Sequence, residues 1–139
     1  MSSVFFTDRD LGKQFPRILA TAGLKVERCA DHFPDDCPDQ IWLREIGKRG
    51  WVAITHDRRI RYKPNELAAV MEHGVALLVV IGKAPFAELA RTFVATRAQI
   101  ERFLAENEPP YIAKLHRPDP VRLKDDPDAA GAVSLWYPP

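Results

Sequence analysis

Four aspartates stand where their carboxylates could act together. Asp8 and Asp10 follow the β-prone run Val4-Phe5-Phe6-Thr7, Asp39 begins an apolar-periodic segment after Pro38, and Asp57 follows Trp51-Val52-Ala53-Ile54-Thr55. Carboxylates gathered in one place repel one another and raise each other's pKa unless a cation neutralises them. Oxygen ligands suit a hard divalent ion, magnesium or manganese (Mg²⁺ or Mn²⁺), which keeps waters and leaves room for phosphate oxygens. Such an ion could activate water and stabilise charge developing on a phosphodiester. Directly after Asp57, Arg58, Arg59, Arg61 and Lys63 crowd together with Tyr62 among them. Those cations would hold phosphates flanking a cleavage point, and Tyr62 could stack on a base.

Each of these residues also has a plainer role open to it. Asp10 and Asp39 suit helix N-caps, while Asp8 and Asp57 suit loops after strands. The basic run suits a solvated loop. Thr55 either positions a water on the metal or simply ends a strand.

The elements that must deliver these groups are legible in the hydrophobic pattern. Val4 to Thr7 reads as a buried parallel strand. A helix follows from about Phe15, with an irregular lead-in from Asp10, because Pro16 is tolerated only in a first turn. Leu24 to Cys29 gives a second strand, Asp31 to Pro38 a polar loop, and Asp39 to Arg49 a helix ended by Gly50. Trp51 to Thr55 is the third strand, Pro64 to His73 a helix, and Val75 to Ile81 the fourth strand. Pro85 opens the longest helix, which Pro109-Pro110 breaks; Tyr111 to Leu115 reads as a short edge strand. Repeated strand–helix alternation means an α/β fold, a mostly parallel sheet of four to five strands covered on both faces. Sites in such sheets form beyond the carboxyl ends of the strands, where strand order reverses. The acids fall there. Residues 117–139, rich in Pro and Asp, read as an extended C-terminal tail after a domain spanning 1–116, with Trp136 and Tyr137 as candidate interface anchors.

Whole-chain properties narrow the field. At 139 residues with 46% hydrophobic residues, one domain can bury a core unaided. The net charge of +1 argues against a general polyanion binder, so nucleic-acid affinity must be local. No stretch reads as a signal peptide or a membrane span. Cys29 and Cys37 give no disulfide framework, so a reducing cytoplasm is expected.

The segments Phe5-Phe6-Thr7-Asp8-Arg9-Asp10-Leu11, Pro38-Asp39-Gln40-Ile41-Trp42 and Trp51-Val52-Ala53-Ile54-Thr55-His56-Asp57-Arg58-Arg59-Ile60 together resemble a PIN-like domain. The nearest group is the small proteins related to VapC-type toxins, and the likeness covers residues 4 to 116 in order and spacing. It implies a three-layer αβα sandwich and a Mg²⁺- or Mn²⁺-dependent endoribonuclease. It further implies a dimer and a cognate antitoxin. By position Asp8, Asp39 and Asp57 match the acidic core, with Asp10 auxiliary, and the reading requires the three to reach a shared ion. Relatives often carry another acid two residues after the Thr-x-Asp aspartate. Here that place is Arg59, which leaves the fourth carboxylate to Asp10 or Glu66, or missing.

Other readings compete. A strand followed by Asp8-x-Asp10 opens haloacid-dehalogenase-type phosphatases, with Asp8 as nucleophile, Thr55 and Lys83 in support and Asp125 and Asp126 as late acids. Asp8, Asp57 and Lys83 mimic a receiver domain, but a strand–helix unit is missing. Cys29, His32, Cys37 and His56 match no common zinc spacing. The last reading is a degenerate fold that binds RNA or protein without cutting.

Overall fold

In a strand, successive side chains point to opposite faces, and in the first strand both faces are apolar. Phe5 packs on one side among Leu11, Phe15 and Phe93, and Phe6 on the other against Trp42. A strand buried on both faces must be internal to a sheet with helices above and below. Each such fully buried ring is worth about 1.5–3 kcal/mol of transfer free energy.

The structure, a computed structural model, describes residues 3–139. The sheet has six strands, β1 (Val4–Thr7), β2 (Lys25–Arg28), β3 (Val52–Thr55), β4 (Ala76–Val80), β5 (Tyr111–His116) and β6 (Ala132–Tyr137), in the order β2-β1-β3-β4-β5-β6. The first five run parallel, and β6 is antiparallel to β5. The helices are α1 (Gln14–Thr21), α2 (Cys29–His32), α3 (Asp39–Arg49), α4 (Pro64–Glu72), α5 (Phe86–Ala95), α6 (Arg97–Glu106) and α7 (Pro120–Asp125). Short 3-10 turns occupy Arg9–Leu11 and Ile60–Tyr62. Residues of α1, α5 and α6 bury one face of the sheet, and residues of α3 and α4 bury the other. The result is an αβα sandwich.

Two local features set how α3 sits. Gly50 takes φ +67° and closes the helix with its N–H on Ile46 and Gly47 carbonyls, a left-handed cap that a side chain would strain. Gly47 lies so close to the backbone of α4's end that a Cβ there would collide with the carbonyl oxygen of His73.

The structure departs from the sequence reading in several places, and Cys29, read as the end of the second strand, instead begins the short α2. The sheet has six strands, not four to five. The segment 117–139 is not an extended tail: Asp119 caps α7 by accepting from Val121 N at 2.8 Å, and β6 pairs along β5. Tyr111 to Leu115 is therefore internal, since an unpaired edge beside β4 finds a partner in Val133 to Tyr137. Finally, the long helix after Pro85 is two helices. Thr96, fully buried, bonds back to Thr92 O at 2.6 Å and accepts from Gly131 N at 2.9 Å, and such back-bonding bends a helix.

Candidate active site

β1 pairs with β2 on one side and β3 on the other, so the chain's crossovers diverge at its carboxyl end. A crevice opens at such a switch point. Asp8 continues β1 by one residue. Its N–H bonds Ile54 O at 2.9 Å, its Oδ1 accepts from Arg9 N at 2.7 Å, and its Oδ2 accepts from Thr55 Oγ1 at 2.8 Å. Asp10, in the following 3-10 turn, accepts from the same hydroxyl at 3.1 Å and from His56 N at 3.1 Å. A hydroxyl carries one proton, so Thr55 satisfies one of these carboxylates at a time.

The electrostatics follow from that crowding. Asp8 is 8% exposed, and burial pushes its carboxyl up to about 7, with Asp10 and then Asp39 adding to the rise against the Thr55 and Arg9 bonds. Burial also raises Asp10, opposed by the His56 amide and the Thr55 hydroxyl. Cys29, buried beside Asp8, is pushed up to about 11, chiefly by burial and next by that carboxylate.

Asp39 is the first residue of α3, whose N-cap is Pro38 with no side-chain cap bond. Its carboxylate is therefore free of capping and instead accepts from Trp42 Nε1 at 2.9 Å. The indole ring packs on Phe6 at 5.3 Å, which ties Asp39 to the core beneath β1.

Asp57 stands in a different setting. Its N–H donates to Thr55 Oγ1 at 3.2 Å, its Oδ1 accepts from Arg59 N at 2.9 Å, and its Oδ2 pairs with Lys63 Nζ at 2.6 Å. Burial works to raise this carboxyl, but the Lys63 and Arg59 bonds outweigh it and hold it below its ordinary value. The same bond raises the Lys63 ammonium.

These groups face a cleft of about 880 Å³. Asp8, Asp10, Asp39 and Asp57 line it together with Arg58, Arg59 and Lys63. Asp8 is buried and Asp39 and Asp57 are half-buried, Asp10 is exposed, and Arg58 and Arg59 are exposed at the cleft's edge. Thr55, fully buried, sits beneath as the hydrogen-bond hub rather than on the wall. Arg61 and Tyr62 do not line the cleft; they turn toward Trp136 and Tyr137. The shared ion expected of Asp8, Asp39 and Asp57 is not prefigured as a cluster. Among the described residues no three His, Cys, Asp or Glu side chains are grouped to hold a metal, and Lys63 draws the Asp57 carboxylate to itself.

Sequence reasoning gave Arg9 no role on the wall, and named His56 and Lys83 only in the zinc, phosphatase and receiver readings. Arg9 reaches the Phe33 carbonyl and pairs with Asp35 at 3.0 Å, bridging β1 to the loop before α3. Its place between Asp8 and Asp10 was the available signal. His56, between Thr55 and Asp57, lines the cleft, and its Nδ1 lies 2.8 Å from Val80 O. Because a carbonyl only accepts, that nitrogen carries a proton. Lys83, three residues after β4, also lines the cleft. The phosphatase reading loses its late acids, since Asp125 and Asp126 are not on the cleft wall. The zinc reading loses His32, which pairs with Glu27 at 2.8 Å.

A family profile described as PIN like domain matches residues 3–82, more than half of the chain. No curated protein and no solved structure gave a match. The chain belongs to the PIN-like family. PIN-like domains are often nucleases and commonly use divalent metals, so nuclease is the class of activity that fold and cleft suggest. Among the described residues, no helix is long and apolar enough to cross a membrane.

Proposed function

We propose that this chain is a metal-dependent endoribonuclease whose cleft, at the carboxyl ends of β1 and β3, hydrolyses RNA phosphodiesters. The observation that carries the reading is Asp8: a nearly buried carboxyl raised to about 7, crowded by Asp10 and Asp39, at the floor of a cleft with arginines at its mouth. Lys63, whose ammonium lines the same cleft, is engaged with Asp57. A hard divalent cation fits that donor set. Mg²⁺ is commonly held by one or two carboxylates with substrate phosphates and waters completing its shell, so a three-carboxylate cage is not required.

Asp8 and Asp39 would hold the ion, with Asp10 beside them. When bound, the ion supplies Lewis-acid polarisation of a phosphodiester. Arg58 and Arg59, exposed at the mouth, hold the phosphates flanking the scissile one and fix the strand's register without reading its sequence. Thr55 keeps Asp8 and Asp10 oriented from beneath. The role as toxin of a type II toxin–antitoxin pair rests on the resemblance alone. It predicts growth arrest on expression, relieved by a protein antitoxin that occludes the cleft.

One observation favours a second reading, a module that binds RNA without cutting it: Lys63 already neutralises Asp57, and Arg59 stands where relatives often place an acid. One experiment separates the two. Purified protein is given a labelled single-stranded RNA pool with Mg²⁺, Mn²⁺ or EDTA, beside Asp8→Asn. Cleavage that needs the metal and falls roughly a thousandfold in the variant, as expected when a main electrostatic contributor is lost, supports the nuclease. Retention of RNA without turnover under all three conditions overturns it in favour of the binding module.

A further inference from the structure

We propose that Arg61, Tyr62, Lys114, Trp136 and Tyr137 form a stacking platform for the unpaired bases of single-stranded RNA leaving the cleft, an assignment whose substrate class rests on the ribonuclease reading. Three aromatic rings and two cations meet here from three separate parts of the chain. The Arg61 guanidinium lies 5.6 Å from the Tyr62 ring centre, 5.4 Å from that of Trp136 and 5.4 Å from that of Tyr137. Lys114 Nζ stands 4.1 Å over Trp136, and Tyr62 meets Trp136 edge-on at 6.0 Å. The register of β5 against β6 makes this possible: Lys114 pairs with Ser134 and Ile112 with Tyr137, which sets the two C-terminal rings beside the turn at Ile60–Tyr62.

Charge and exposure point to the occupant. Neither Arg61 nor Lys114 is in an ion pair with a carboxylate among the described residues. Their positive charge is therefore displayed on aromatic faces rather than cancelled. Tyr62 is 70% exposed, and its contact with Trp136 is edge-on. A ligand that offers flat π-surfaces strung on a line of negative charge matches both properties, and unpaired nucleotides are that ligand. The platform also continues from the cleft. Arg58, Arg59 and Lys63 line the cleft from the same short loop. Tyr62 lies three residues beyond Arg59 in a 3-10 turn, roughly 6 Å at about 2 Å per residue, so a strand passing over Arg59 reaches the ring within a nucleotide or two.

The test measures binding of labelled oligouridine of about twelve nucleotides, long enough to span cleft and platform, by fluorescence anisotropy in EDTA. Binding in EDTA is read apart from cleavage, so a chain that binds but never cuts would overturn the nuclease reading and leave this one standing. Tyr62→Leu is expected to weaken binding about tenfold, the loss of one base–aromatic stack, and Tyr62→Phe to restore it. Lys114→Gln is expected to flatten the dependence of affinity on salt by about one counterion. Because Tyr62 is so exposed, its replacement leaves the core intact. Equal affinity of wild type and Tyr62→Leu for the oligonucleotide overturns the proposal. So does a change of oligomeric state in Tyr62→Leu without a change in RNA affinity, which would assign the patch to a second copy of the chain.

Discussion

Asp8 and Asp57 both follow a parallel β-strand within a residue or two, both take a hydrogen bond from the amide of a nearby residue, and both touch the hydroxyl of Thr55. Their chemistry diverges because of what stands beyond that shared pattern. Asp8 has two further acids in its field and lies almost out of reach of water, so its carboxyl is raised to about 7. Asp57 has Lys63 at 2.6 Å, and its carboxyl is lowered. The same residue type in nearly the same local geometry is thus an unmet demand for positive charge in one case and a satisfied one in the other. The difference teaches that a cation entering this cleft is recruited by Asp8, whereas at Asp57 it must compete with a resident ammonium.

The largest effect follows from the Asp8 side. A carboxyl whose folded pKa lies above its unfolded value binds its proton more tightly when folded, so the metal-free protein loses stability as pH rises from about 4 to about 7 and levels off above that. With a rise from 3.8 to about 7, the loss is on the order of 4 kcal/mol at about 1.4 kcal/mol per unit. Asp10 acts in the same direction. Asp57 acts oppositely, stabilising above its unfolded value and losing that contribution as pH falls through its lowered one. Urea denaturation in EDTA across this range should show the decline in wild type and only the smaller Asp10 part of it in Asp8→Asn. A flat wild-type profile would erase the contrast between the two aspartates.

A smaller effect is expected where the two acids are joined. Thr55→Val keeps the buried shape and removes the hydroxyl shared by Asp8 and Asp10. Leaving the buried Asp8 oxygen unpaired should cost about 1–3 kcal/mol of stability. Metal-stimulated cleavage should fall roughly ten- to a hundredfold, as when an orienting partner of a ligand is removed. Activity retained alongside lost stability would reduce Thr55 to a purely structural role.

The smallest effect concerns the ion pair. Lys63→Met removes the ammonium but keeps its aliphatic length, and it should strengthen Mn²⁺ binding, read by electron paramagnetic resonance, about fivefold. That is near 1 kcal/mol, the upper range for a partly exposed pair. Unchanged affinity would mean that the ion never approaches Asp57, which would sharpen the assignment of the site to Asp8 and Asp39.

Much of this was legible in the sequence because its signals are local. β1 falls at Val4 to Thr7 and α3 at Asp39 to Arg49, as read from the apolar pattern and Gly50. Asp8 and Asp57 could be placed after strands for the same reason. What escaped depends on contacts between residues far apart in the chain. β6 has a weak pattern, with Ala132, Ser134 and Leu135 exposed, and becomes a strand because β5 offers an unpaired edge. The break at Thr96 depends on Gly131, thirty-five residues away. Lys63 was read as a phosphate contact, since no local rule shows that an ammonium six residues on will fold back onto Asp57. Arg61 and Tyr62 were expected among the phosphate-facing groups, but the 3-10 turn takes them off the cleft wall and onto Trp136 and Tyr137.

The bare backbone of Gly47 against His73 has a mechanical consequence for the cleft. α3 is a short stiff rod, with Asp39 at one end and this contact eight residues along, about 12 Å at 1.5 Å per residue. The spacing between α3 and α4 is fixed there by two backbones touching, not by adaptable side chains. One added methyl group would act as a wedge near the fulcrum, and the tip carrying Asp39 would swing relative to Asp8. The gauge of the acidic cleft is thus set at a joint remote from it, in a glycine that no carboxylate touches.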